Sequence, residues 1–121
     1  MPHHFTCRVY YEDTDLAGIV YYANYLKFIE RARSEWVRSL GINQTALKAQ
    51  GLVFAVRRVE ADYLRPAVFD DLLTIETTEI SRSPARLTLL QTVRRDATDL
   101  FVAKVTLVCL TDKGTPTRLP L

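Results

Sequence analysis

The sequence predicts an α+β domain in which one long helix packs on an antiparallel sheet. From Tyr22 to Leu40, apolar residues recur at steps of three and four, the period of a helix with one buried face. Beyond Gly51 the chain turns to runs rich in β-branched and aromatic residues, separated by short polar turns. Short connections force neighbouring strands to run antiparallel, because a parallel pair needs a crossover of a dozen residues or more.

Phe5 to Tyr11 alternates and is rich in β-formers, so it reads as a first strand. Glu12 to Gly18 is a turn, and Ile19 to Tyr22 leads into the helix. Tyr22, Tyr25, Leu26, Ile29, Ala32, Trp36 and Leu40 form the apolar stripe, with Lys27, Glu30, Arg31, Ser34, Glu35 and Arg38 mostly off it. Asp13 and Asp15 precede the helix, where its partial positive charge favours anions. Gly41 suits the left-handed residue that closes a helix. Asn43 can cap a short helix through Ala49, which Gly51 ends.

Leu52 to Leu64 reads as a long strand, with Pro66 at its end. Ala67 to Asp71 is a loop. Leu72 to Ile80 is a strand with Leu73, Ile75 and Thr77 on one face, followed by a Ser81–Pro84 turn. Ala85 to Arg95 and Leu100 to Thr111 are two further strands joined by Asp96–Asp99. Asp112 to Leu121 reads as loop or frayed edge. If Phe101 and Val105 face inward, Val102, Val108 and Leu110 leave the outer face partly apolar, a hint of self-association.

The 121 residues show no repeat and no second domain, so residues 1–121 are expected to form one domain with its own core. A 48% hydrophobic and 25% charged composition is ordinary for a soluble globular protein. The net charge of +2, without any lysine or arginine run longer than two, gives no reason to expect nucleic acid. Cys7 and Cys109 are the only cysteines and read as buried thiols in a reducing compartment. With no CxxC and no Cys/His cluster, no zinc or other metal site is expected. The N-terminus lacks the pattern of a secretory signal. The longest apolar tract, Leu100 to Leu110, contains Lys104 and is well short of the ~20 residues of a membrane span. A cytoplasmic protein without a membrane span is the expectation.

Exclusion narrows the chemistry. The only histidines, His3 and His4, precede the expected first strand and read as a solvated pair, whereas a catalytic triad needs an anchored histidine. There is no GxSxG elbow, phosphate-cradling glycine loop or HExxH. Carboxylates, backbone amides, tyrosines and arginines remain. Asp13-Thr14-Asp15, followed by Gly18 and a helix, is the best candidate. Its ordinary reading is a pair of Asx-turns. Its functional reading sets a carboxylate beside free N–H groups that can hold an oxygen acquiring negative charge, which suits acyl transfer. Spacing alone leaves both open.

The segment Tyr11-Glu-Asp-Thr-Asp15-Leu-Ala-Gly18-Ile-Val-Tyr21-Tyr-Ala-Asn24-Tyr25, continuing into Glu30-Arg-Ala-Arg-Ser-Glu-Trp36, resembles the signature of hotdog-fold acyl-CoA thioesterases. The resemblance is to the 4-hydroxybenzoyl-CoA thioesterase type, including the bacterial Tol-Pal-associated acyl-CoA thioesterases. It extends through Phe54-Ala-Val-Arg57, Tyr63-Leu-Arg-Pro66-Ala and Phe69-Asp-Asp-Leu72. It implies a long central helix wrapped by a curved antiparallel sheet, and dimers or dimers of dimers with the active site between subunits. By position it implies Asp15 as catalytic carboxylate, the Tyr22 backbone amide as donor to the thioester carbonyl, and Gly18 as the residue keeping the turn close to substrate. The chain departs at Tyr22, where many Tol-Pal-associated members have histidine.

The implied reaction hydrolyses an acyl-CoA to a carboxylic acid and coenzyme A, with no cofactor beyond the coenzyme A of the substrate. Thiols ionise near ~8.5, so a thiolate leaves without a strong general acid. Asp15 would attack the acyl carbon or activate a water, with Asp13 left to turn structure. Arg82 and Arg86 flank the Ser81–Pro84 turn. They read either as solvated charges or, with the resemblance, as contacts to the coenzyme A phosphates. A hydratase of the same fold fits less well, since such relatives generally use a histidine. A non-catalytic acyl-CoA-binding protein or cell-envelope-complex partner of the same fold is the alternative.

Overall fold

Helix α1 (Asn24–Ser39) carries its apolar residues on one side, and burying that side determines the rest of the architecture. The computed structural model describes residues 2–121. Tyr25, Phe28, Ile29, Ala32, Trp36 and Val37 are all buried along α1. Leu26 and Leu40, expected in this stripe, are exposed, and Phe28 and Val37 take their place. Leu26 lies about 100° around the helix from Tyr25, off the buried face, and Leu40 lies beyond the last helical residue. Gly41 adopts φ +82° and donates to the Arg38 carbonyl at 3.0 Å, closing α1 as anticipated.

Strands β1 (His3–Arg8), β2 (Leu52–Tyr63), β3 (Leu72–Arg82), β4 (Leu87–Arg95), β5 (Thr98–Thr111) and β6 (Pro116–Thr117) form one antiparallel sheet in the order β1-β3-β4-β5-β2. β6 joins β5 through Cys109 and Leu110. The short helix α2 (Gln44–Ala49) precedes β2, and its Asn43 cap accepts the Ala46 N–H at 3.1 Å. Alternate residues Leu73 and Ile75 on β3, Leu87 and Leu89 on β4, and Phe101, Val105 and Leu107 on β5 join α1 in one core. The register shifts at three places, between Val56 and Arg58, between Glu79 and Ser81, and between Val93 and Arg94, irregularities of the kind that bend a sheet.

One polar side chain ties helix to sheet. Gln91 on β4 is wholly buried and donates to the Ile29 carbonyl of α1 at 2.9 Å and to Thr77 Oγ1 at 3.0 Å. Its carbonyl accepts Arg33 Nη1 at 3.1 Å. Both polar atoms of that amide have partners, Ile29 and Arg33 on α1 and Thr77 on β3, so its burial carries no orphaned polarity.

Three sequence expectations change. The first strand is His3–Arg8 rather than Phe5–Tyr11, and Tyr11–Asp13 forms a 3-10 turn. The histidines therefore lie within an edge strand rather than ahead of it: His4 Nε2 is 3.6 Å from Glu76, and His3 is half-buried. Of the two readings of the tail, loop holds apart from the short β6, and frayed edge does not, because Leu119 is buried and its N–H donates to the Pro84 carbonyl at 2.8 Å. No helix among the described residues is long and apolar enough to cross a membrane.

Candidate active site

The acidic segment folds into a tight hairpin ahead of α1. Thr14 bridges Val20, the Asp15 N–H donates to Ile19 at 2.9 Å, and the Gly18 N–H donates to the Asp15 carbonyl at 3.0 Å. Gly18 turns this hairpin with φ +81°, a region open to glycine at little cost. The hairpin is anchored at its return: Ile19 bridges Val68, and the Val20 N–H donates to Ala67 at 2.9 Å.

The two aspartates separate in role. Asp13 is structural, with its carboxylate accepting the Tyr10 N–H at 2.8 Å. Its carbonyl accepts the Tyr21 N–H and the Asn24 side-chain amide, each at 2.8 Å. Asp15 also makes an Asx-turn, Oδ1 accepting the Ala17 N–H at 2.9 Å, but it is exposed and lines a cleft. That cleft, about 370 Å³, lies between the hairpin, the start of α1 and the end of β2. Asp15, Val20, Tyr22, Tyr25, Tyr63 and Pro66 are among its walls.

Tyr22 was expected at the start of the helix, and the first helical residue is instead Asn24. The Tyr22 N–H thus belongs to the turn entering α1 and donates to no acceptor among the described residues. Asp15 and Tyr22 line one apolar cleft, while Gly18 shapes the hairpin without lining it.

Sequence reasoning missed the tyrosines that build the far wall. Tyr63 donates its hydroxyl to the Tyr22 carbonyl at 2.9 Å. Tyr25 accepts the Ala67 N–H at 3.0 Å and stacks on Phe101 at 4.9 Å. Burial pushes both phenols above their ordinary pKa, with the backbone bond from Ala67 opposing the shift at Tyr25. Both remain neutral at neutral pH, Tyr63 as a donor and Tyr25 as an acceptor. The only signal for Tyr63 was its place in the Tyr63-Leu-Arg-Pro66 segment; its partner is 41 residues away. Both cysteines are free thiols, and burial raises both, the Cys7 thiol to about 11, which disfavours the thiolate that a nucleophile needs.

Arg82 and Arg86 part company. Arg82 forks onto Glu79 at 3.1 and 2.6 Å. Arg86 lines a second cleft of about 740 Å³ with Arg57, Arg58, Lys104, Thr88 and Thr106. Arg58 holds Glu60 at 2.9 Å. This cationic cleft is on the outer sheet face, since Thr88 and Thr106 alternate with the buried Leu87, Leu89, Val105 and Leu107.

The profile of the thioesterase superfamily matches residues 17–102. The chain belongs to the thioesterase superfamily. This thioesterase-superfamily chain is 43% identical over 115 residues to the acyl-CoA thioester hydrolase YbgC of Escherichia coli O6:H1, covering 93% of the chain and 86% of that relative. It is also 43% identical to the acyl-CoA thioesterase YbgC of Haemophilus influenzae, covering 88% of the chain and 79% of that protein. Among solved structures, a probable thioesterase from Bartonella henselae superposes with TM-score 0.95 at 42% identity, over 99% of this chain and 100% of that one. A 1,4-dihydroxy-2-naphthoyl-CoA thioesterase from Synechocystis shares the fold, with TM-score 0.90 at 23% identity, over 99% of this chain and 90% of that one. The expected hotdog fold, one long helix and an antiparallel sheet, is the fold observed.

Proposed function

We propose that the protein hydrolyses acyl-CoA thioesters, with Asp15 as the catalytic carboxylate and the Tyr22 backbone N–H as donor to the thioester carbonyl. The relatives at 43% identity carry the name acyl-CoA thioester hydrolase or acyl-CoA thioesterase. The single observation that supports the roles is that Asp15 and Tyr22, whose N–H has no acceptor among the described residues, line one apolar cleft. The acyl chain lies against Tyr22, Tyr25 and Tyr63 with its carbonyl oxygen at the amide. Charge that develops on that oxygen meets a donor fixed in place before the reaction. Asp15 attacks the acyl carbon, forming a mixed anhydride that water then opens, or takes a proton from an attacking water. In both routes the carbon–sulfur bond breaks, coenzyme A leaves as thiolate, and water supplies the oxygen of the acid.

Arg86, with Arg57, Arg58 and Lys104, supplies positive charge for the nucleotide phosphates. Arg82 contributes less, since Glu79 already occupies its guanidinium. The acyl cleft opens on the helix side of the sheet and the cationic cleft on the other. One substrate spanning both is best served when a second copy brings its cationic cleft to the first copy's acyl cleft. A homodimer, alone or paired into a tetramer, is therefore the functional unit of this reading, and no resident cofactor takes part.

The direct test follows free thiol on addition of aromatic, short and long aliphatic acyl-CoAs. Release from at least one class is expected. Tight binding without release from any class would make the protein a binding module instead.

A further inference from the structure

The geometry points to Tyr63 as a positioning residue for the backbone donors beside Asp15, an inference that rests on the thioesterase reading above. Tyr63 is the last residue of β2, paired with Phe101 of β5. Its ring is wedged edge-on against Phe101 at 4.9 Å, Tyr25 at 5.5 Å and Tyr22 at 6.3 Å between centroids. That packing aims the hydroxyl, which donates to the Tyr22 carbonyl at 2.9 Å.

The Tyr22 carbonyl shares a planar peptide unit with the Ala23 N–H. Holding the oxygen therefore fixes the direction of that N–H and restrains the ψ of Tyr22, next to the Tyr22 N–H itself. Neither N–H donates to an acceptor among the described residues. A carbonyl that accepts a hydrogen bond also polarises its own peptide, which strengthens the N–H at the other end. Backbone bonds hold the segment on both flanks, Tyr21 N–H to Asp13 at 2.8 Å and Asn24 N–H to Tyr21 at 2.8 Å. Between them, the peptide joining Tyr22 to Ala23 is gripped by the Tyr63 hydroxyl. A phenylalanine would fill the same space and leave that peptide unheld. The hydroxyl is thus a device of the site rather than of the core.

Tyr63→Phe isolates the hydroxyl, and Tyr63→Leu removes the ring as well. Three readouts are compared: thermal melting, steady-state hydrolysis of an acyl-CoA, and the ¹⁵N–¹H amide resonances of Tyr22 and Ala23 in the substrate-free protein. Tyr63→Phe should melt close to wild type, shift both amide resonances, and lower kcat about tenfold, the scale of one lost hydrogen bond, with KM almost unchanged. Tyr63→Leu should add a clear fall in melting temperature. Unmoved amides in a folded Tyr63→Phe protein would overturn the inference. So would moved amides with normal kcat, or a raised KM at constant kcat, which would make Tyr63 a substrate contact. A wild-type protein that hydrolyses no acyl-CoA would sink the thioesterase reading, while the amide shifts would still decide whether Tyr63 sets the donors.

Discussion

Asn24, the first residue of α1, donates its side-chain amide to the Asp13 carbonyl at 2.8 Å. The same oxygen accepts the Tyr21 N–H at 2.8 Å, so one carbonyl joins the acidic hairpin to the entrance of the helix. Asn24 is 8% exposed, so the bond is shielded from water. Replacing Asn24 with alanine leaves that carbonyl one donor short and loosens Asp15 relative to the Tyr22 amide. The expected cost is about 1–2 kcal/mol of stability, with a fall in kcat even at temperatures where the variant is fully folded. Urea melts and steady-state rates check it; a destabilised variant with normal kcat would make Asn24 a purely structural tie.

Self-association should run through β2. Among the described residues this strand pairs only with β5, and Val53, Val56 and Val59 along it are exposed. A long open edge with exposed β-branched residues is an aggregation hazard unless covered. Light scattering at micromolar concentration should report a dimer or tetramer, and Val56→Lys with Val59→Lys should shift it towards monomer. A wild-type monomer would remove the shared active site.

The cationic residues should act on the nucleotide end of the substrate. Arg57→Ala with Arg86→Ala should raise KM for acyl-CoA more than it lowers kcat, since phosphate contacts bind ground and transition states alike. The effect should vanish for a pantetheine thioester. Arg82→Ala, which frees Glu79 from its fork, should do less. Equal penalties on both substrates would confine these arginines to the fold.

Much of this was legible in the chain because local physics sets it. The α1 period, Gly41, the Asn43 cap and the β3 face of Leu73, Ile75 and Thr77 follow from spacing and backbone preference. Asp15, Gly18 and Tyr22 lie in one continuous motif, so their proximity could be read without a structure. What could not be read depends on contacts between distant segments. Tyr63 reaches Tyr22, Gln91 reaches Ile29, and Leu119 reaches Pro84, and none leaves a periodic trace. The Arg82 fork is local, yet three residues on a strand normally end on opposite faces; the bulge between Glu79 and Ser81 brings the pair together.

Acid should erase one surface contribution. Arg94 hydrogen-bonds Glu76 across β3 and β4 and also holds Asp99 at 2.7 Å. The Arg94 hydrogen bond is the main cause that holds the Glu76 carboxyl below its ordinary value of 4.5. A depressed carboxylate stabilises the fold above the unfolded pKa, and the gain is lost as pH falls through the folded one. The stability difference between wild type and Arg94→Met should therefore be present at neutral pH and shrink below about pH 4.5. A difference that stays constant down to pH 2 would assign it to packing of the arginine stem.

The central claim is that Asp15 does chemistry and Asp13 does not, and steady-state hydrolysis of the best acyl-CoA by Asp15→Asn and Asp13→Asn tests it most directly. Asparagine makes the same Asx-turn to the Ala17 N–H, so the hairpin survives and only the charge is lost. Once melts confirm folding, Asp15→Asn should lower kcat by a factor on the order of 10²–10⁴ with little change in KM. Asp13→Asn should lose far less. A folded Asp15→Asn protein with near-normal kcat would contradict the account.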